Sequence, residues 1–191
     1  DEKQMEEFYS SEKRVKTVIE AYWNKSAGKK TMIFNVNINH NLAVYEAFKK
    51  EQLNVYSLTG ETPLNERISI LKSFKEQSDA MDAAATAKAK GGSEHLTFND
   101  PPMAEEAVQT KSKKIKSKKQ SDAIICSVGV LTTGFDEPSV ETIILNRATK
   151  SLTLYLQMIG RGSRIMPNKE KFLILDLGTN TTTHGWYDDF Y

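Results

Sequence analysis

Two short segments carry the residue types that phosphate chemistry needs. The first, Thr132-Thr133-Gly134-Phe135-Asp136-Glu137-Pro138, sets paired hydroxyls and a glycine beside a carboxylate. Hydroxyls and a bare backbone let a phosphate approach closely, and the carboxylate can accept hydrogen bonds from ribose hydroxyls. The same residues also suit an ordinary strand-to-loop turn with a capping Asp. The second, Gln157-Met158-Ile159-Gly160-Arg161-Gly162-Ser163-Arg164, spaces Gln157, Arg161 and Arg164 at i, i+4 and i+7, which is one face of a helix. Two guanidiniums and an amide on one face suit a polyanion such as a triphosphate, where arginine stabilises charge spread over phosphoryl oxygens. A solvated arginine face or a structural ion pair is the plainer alternative.

Such residues need elements to hold them. Apolar residues at helical spacing from about Met5 to Trp23 predict an amphipathic helix, with Gly28 suited to a left-handed stop. Short apolar runs at Thr31–Val36, Asn54–Leu58, Ala123–Val128, Thr142–Leu145 and Lys171–Leu177 predict strands. Helical patterns follow Asn39 or Asn41 as cap, follow Thr62-Pro63, and run from about Leu152 to Gly162. Apolar runs alternating with helices predict an α/β fold, a parallel sheet covered on both faces and preceded by an N-terminal helix. Ligands of such sheets collect at the C-terminal strand ends, and the first polar segment follows the Ala123–Val128 run. Residues 79–120, rich in Ala, Lys and Ser with Gly91-Gly92 and Pro101-Pro102, break the rhythm and read as a mobile insertion, with room for short helices near Ala80–Lys90 and Pro102–Gln109.

The chain has 191 residues, enough for one core without staples. Its net charge is +1, but Lys111–Lys119 holds six lysines, so the rest of the chain carries −5. Bulk charge is therefore silent about partners, and the lysine run fits either a solvated segment or an arm for nucleic acid. One cysteine excludes a disulfide framework and a Cys-cluster zinc site, and Cys126 in an apolar strand reads as a core residue. There is no membrane-length apolar stretch or signal-peptide pattern, so a cytoplasmic setting is expected, and the missing initiator Met suggests an excised piece. His40 and His95 read as surface residues, and Trp23 and Trp186 as packed.

The ordered pair of segments resembles the C-terminal RecA-like domain of superfamily 2 helicases, the DEAD/DEAH-type nucleic-acid translocases. Thr31–Val36 resembles motif IV, Thr132–Asp136 motif V and Gln157–Arg164 motif VI, while Leu58-Thr59-Gly60 with Arg67 is similar to the motif between them. Within the superfamily, Arg147-Ala148-Thr149-Lys150-Ser151 and Leu175–Asn180 followed by His184-Gly185 are most similar to RadD/YejH-like bacterial DNA-repair helicases and restriction-enzyme helicase subunits.

The resemblance implies roles. Arg164 would be the arginine finger, Arg161 a second phosphate contact, and Gln157 a group positioning water or phosphate. Gly134 and Asp136 would link the ATP site to the nucleic-acid strand, whose backbone Asn35, Asn37, Thr59, Gly60, Thr132 and Thr133 would grip. Mg-ATP would be held mainly by an N-terminal RecA-like domain, because no G-x-x-x-x-G-K-[ST] loop or acidic magnesium motif occurs here. The expected organisation is a linking helix over 1–28 and a helicase C-terminal domain over 29–191. The expected function is the second motor domain of an ATP-dependent DNA helicase or translocase, inactive alone, with DNA favoured over RNA and no membrane partner. The alternatives are a remodelling or restriction subunit that separates no strands, an RNA helicase, and a non-catalytic nucleic-acid-binding module.

Overall fold

The structure, a computed structural model, describes residues 12–89, 123–131, 135–167 and 169–190. In chain order these form α1 (Glu12–Lys25), β1 (Thr31–Asn35), α2 (Ile38–Lys50), β2 (Val55–Leu58), α3 (Leu64–Ala89) and β3 (Ile124–Ser127). Then come β4 (Thr142–Asn146), α4 (Leu152–Ile159), β5 (Leu173–Asp176), the short α5 (Asn180–His184) and a 3-10 turn (Tyr187–Phe190). All strand pairs are parallel, in the order β2-β3-β1-β4-β5.

Strands β1, β3 and β4 are buried throughout, because helices cover both sheet faces. Successive side chains alternate between two cores. Met32, Phe34, Ile125, Ile143 and Leu145 face Phe74 of α3 and Tyr155, Met158 and Ile159 of α4. Ile33, Ile124, Cys126 and Ile144 face Val18 and Tyr22 of α1 and Val44 and Phe48 of α2. Tyr22 and Phe48 meet edge to face at 5.3 Å, which fixes α1 against α2. The parallel α/β sheet with two helical layers and a preceding helix is thus the observed architecture. Gly28 takes φ +77° just after α1, the left-handed stop that its sequence position suggested.

Several local expectations change. Helix α3 continues unbroken to Ala89, through the first part of the stretch that broke the sequence rhythm. The rest of that stretch, with His95 and the lysine run, lies outside the described residues, as do residues 1–11 and Thr132, Thr133 and Gly134. Helix α2 is capped by Asn37, whose side chain accepts from the His40 N–H at 2.9 Å, and Asn41 is spent inside the fold. His40 is buried, not on the surface, because it closes a polar cluster between strand ends. Trp23 and Trp186 are 44% and 67% exposed, so neither is packed away.

The largest change concerns α4, which ends at Ile159 with Gly160 as cap, leaving Arg161 and Arg164 beyond the helix. A glycine pair at 160 and 162 weakens helix continuation. Gly162 is also pressed so closely on Phe172 and Ile143 that a Cβ would collide.

Candidate functional site

Because the strands run the same way, their C-terminal exits share one edge of the sheet: Asn35–Asn37 after β1, Thr59-Gly60 after β2, Val128–Leu131 after β3, Arg147–Ser151 after β4 and Leu177–Asn180 after β5. The arginines meet instead toward the opposite, N-terminal ends of the strands, beyond the end of α4: Gly162 packs on Phe172, just before β5, and on Ile143 at the start of β4, and Glu137 pairs with Lys30, just before β1. Arg161 Nη1 donates to the Phe135 carbonyl at 2.7 Å, and Arg164 Nη1 is ion-paired with Asp136 Oδ1. Two guanidiniums therefore converge on two consecutive residues. The Asp136 side chain is mostly exposed and that of Arg164 about one-third exposed, so a competing anion has access. Partial burial lowers the Arg161 pKa from its ordinary value, yet a guanidinium remains charged in a protein. Two adjacent forks of N–H donors fit phosphate oxygens. Among the described residues no group of three or more His, Cys, Asp or Glu could hold a metal ion. Gln157 sits half-buried in the last turn of α4.

The next residue along, Glu137, is buried and anchors this segment from below. Its Oε1 lies 3.3 Å from Lys30 Nζ and accepts from the Ser139 hydroxyl. Lys30 Nζ also bonds Ser139 Oγ at 3.0 Å and sits 4.5 Å above the Phe74 ring centroid. Phe135, Asp136 and Glu137 are thus tied in turn to Arg161, Arg164 and Lys30. The sequence offered one missed signal for this: a lysine immediately before a buried strand, where the chain has little room for a charge.

The expected nucleic-acid residues divide. Asn35 is buried, donating to Asn41 Oδ1 and accepting from Asn146 Nδ2, both at 2.8 Å, while Asn41 Nδ2 donates to Ser57 Oγ at 2.8 Å. These links join the ends of β1, β4 and β2. His40 completes them: Nδ1 accepts from the Val36 N–H at 3.3 Å and Nε2 lies 3.0 Å from the Asn146 amide. Burial first, and the Arg14 charge second, push the His40 pKa down to about 4. Asn35 is consumed as a link between strand ends and the Asn37 side-chain oxygen as a helix cap. Thr59 is buried in a tight turn in which its N–H donates to Thr62 Oγ1 at 3.0 Å and its Oγ1 accepts from the Glu61 N–H at 3.3 Å. Arg67 Nη2 braces the turn through the Thr59 carbonyl at 3.2 Å. Gly60 is exposed, and a Cβ there would meet nothing within 4 Å.

The family described as "Helicase conserved C-terminal domain" matches residues 88–166, which include Phe135–Asp136, Arg161 and Arg164. A Saccharomyces cerevisiae protein named ATP-dependent helicase IRC3 is 26% identical over 162 residues, 85% of this chain and 17% of that protein. The Escherichia coli type I restriction enzyme EcoKI endonuclease subunit is 42% identical over 62 residues, 31% of this chain and 5% of that protein. The chain thus spans under a fifth of either relative. Among solved structures, the C-terminal domain of the DEAD-box protein Dbp5 aligns with a TM-score of 0.54 at 16% identity, covering 86% of this chain and 69% of that one. Over residues 88–166 the chain is thus similar to the helicase conserved C-terminal domain, and its fold is the one it shares with the C-terminal domain of Dbp5.

Proposed function

We propose that this domain is the second motor domain of an ATP-dependent DNA helicase or translocase, with Arg164 as arginine finger and Arg161 as second phosphate contact. The observation that carries the reading is the convergence of both guanidiniums on Phe135–Asp136, where the mostly exposed Asp136 leaves room for a partner domain to present a nucleotide. Mg-ATP, held mainly by an N-terminal RecA-like domain, would supply the triphosphate. This chain's residues bind and orient: Arg164 exchanges Asp136 for a phosphate oxygen, Arg161 holds the loop and its charge nearby, and Gln157 positions water or phosphate. Gly134 and Asp136 couple that event to the strand held by Thr132, Thr133, Gly60 and the backbones of Thr59 and the Asn35–Asn37 turn. DNA is favoured by the relative named as a restriction endonuclease subunit. A linking helix over 1–28 and a domain over 29–191 complete the organisation, and the one buried cysteine suits the reducing cytoplasm.

In the full-length protein, Arg164→Ala lowers nucleic-acid-stimulated ATP hydrolysis by ~10³-fold or more, as loss of an arginine finger does. An unchanged rate rejects the finger. Stimulation by single-stranded RNA but not DNA rejects the choice of polymer, and ATP hydrolysis by this 191-residue chain alone rejects the division of labour.

A further inference from the structure

The loop Arg147–Ser151 carries the chain from β4 into α4, the helix that ends at the arginine segment. Its backbone is gripped from outside by the residues that follow β5. Asn180 is 1% exposed and uses its whole amide: Nδ2 donates to the Arg147 carbonyl and to Asp176 Oδ1, each at 2.8 Å, and Oδ1 accepts from the Thr149 N–H at 2.8 Å. Asp176 holds α5 in turn, accepting from the Thr181 N–H at 2.8 Å and its hydroxyl at 3.0 Å, and from the Gly178 N–H at 3.1 Å. His184 Nε2 lies 2.8 Å from the Thr149 carbonyl, and since a carbonyl only accepts, the ring proton is on Nε2. The His184 ring stacks on Tyr155 of α4 with centroids 5.2 Å apart, and the Tyr155 hydroxyl donates to the Gly185 carbonyl at 3.1 Å.

Thr149 is therefore held at both its N–H and its carbonyl by α5. Its own Oγ1 accepts from the Ser151 N–H at 3.1 Å, and Ser151 caps α4 through the Leu154 N–H at 3.2 Å. The clamp is also costly to build. Thr179 adopts φ +56°, unfavourable for a residue with a Cβ, and a Cβ on Gly178 would collide with the Arg147 carbonyl. Strain and a fully satisfied buried amide concentrated on one loop fix that loop far more tightly than a surface connection needs.

We infer that Asn180 and His184 are positioning residues for the arginine segment: they fix where α4 begins, and through this eight-residue helix where Gln157, Arg161 and Arg164 stand against Phe135–Asp136. A helix transmits a displacement at its start to its far end, and a shift of about 1 Å in a positioned group costs ~10²-fold in rate. The kinetic consequence rests on the function proposed above, and the structural part does not.

The test uses the full-length protein and two readouts. In hydrogen exchange, Asn180→Ala and His184→Ala speed exchange at Thr149 and in the first turn of α4 while β4 stays protected; unchanged protection at Thr149 overturns the clamp. In kinetics, each variant lowers kcat for ATP hydrolysis by about 10-fold or more with KM for ATP within about twofold, yet by less than about twofold in an Arg164→Ala background, the non-additivity expected of residues acting through one group. His184→Gln, which still offers an N–H to Thr149, keeps most of the rate that His184→Ala loses. Equal losses in both backgrounds, or a lowered Tm with unchanged kcat, overturn the positioning role. If Arg164→Ala is itself silent while exchange at Thr149 accelerates, the proposed function fails and the clamp stands.

Discussion

Lowering the pH should loosen the cluster that joins β1, β2 and β4, because buried His40 has nowhere to put a second proton. Its Nδ1 accepts from the Val36 N–H, so protonation there removes a backbone partner inside the core and adds charge near Arg14. The folded pKa of about 4 lies below the ordinary 6.5, so between these values the unfolded chain binds more protons than the folded one. Stability from this group is then complete above about pH 6.5 and is lost as pH falls toward 4. The full shift corresponds to about 3 kcal/mol, of which about 2 kcal/mol has gone by about pH 5. The assay is urea unfolding of the wild type and His40→Gln at about pH 7.5 and about pH 5. The variant is weaker at neutral pH but lacks this titration, so the gap between the two proteins narrows by about 2 kcal/mol on acidification. Added salt leaves most of the effect in place, since desolvation is the main cause and salt screens only the Arg14 contribution. A gap of constant size across this window refutes the reasoning.

Breaking the buried pair beneath Phe135–Asp136 by Lys30→Met costs about 3–5 kcal/mol in the same unfolding assay, because Glu137 is left buried and charged. The double change Lys30→Met with Glu137→Leu recovers most of that loss, and strictly additive losses would contradict the pairing. Asp136→Ala, at an exposed ion pair, changes stability by less than about 1 kcal/mol, and a larger loss would give Asp136 a structural role. Gly178→Ala drives a methyl into the Arg147 carbonyl and lowers stability by about 2–4 kcal/mol, measurable by thermal melting; an unchanged Tm would mean that the β5 exit yields easily. Burial pushes the Cys126 thiol far up, so iodoacetamide labels it only at the rate of unfolding, and fast labelling of the folded protein would contradict its place in the core.

The sheet was legible because its signal is local. Runs such as Ile124–Ser127 and Thr142–Asn146 are apolar on both sides of the pleat, and little except a strand between two helical layers accommodates them. Buried polar groups were harder to read. Lys30, Asn35, His40 and Asn146 look like surface residues in a one-dimensional reading, since their partners lie up to 111 positions away. Asn37 illustrates the competition at a single residue: the same short amide suits a nucleic-acid contact or a helix cap, and the free N–H groups of α2 claim it.

The arginine segment differs in kind, because the geometry expected for it, one helical face, is not what gathers its residues. Spacing of i, i+4 and i+7 gathers side chains only while a helix lasts, and this one stops at Ile159. What gathers Arg161 and Arg164 is a set of acceptors supplied by the loop after β3, together with a turn pressed against Phe172 just before β5 through Gly162. A helical face would aim both guanidiniums by one element's own regularity. Here the aim depends on elements that are remote in sequence: Lys30 beneath Glu137, the Phe135–Asp136 acceptors, and the α5 clamp at the start of α4. On the proposed function, a substitution at any of these misdirects the arginines while leaving both in the chain, so the residues expected to control the site extend well beyond the segment that carries the arginines.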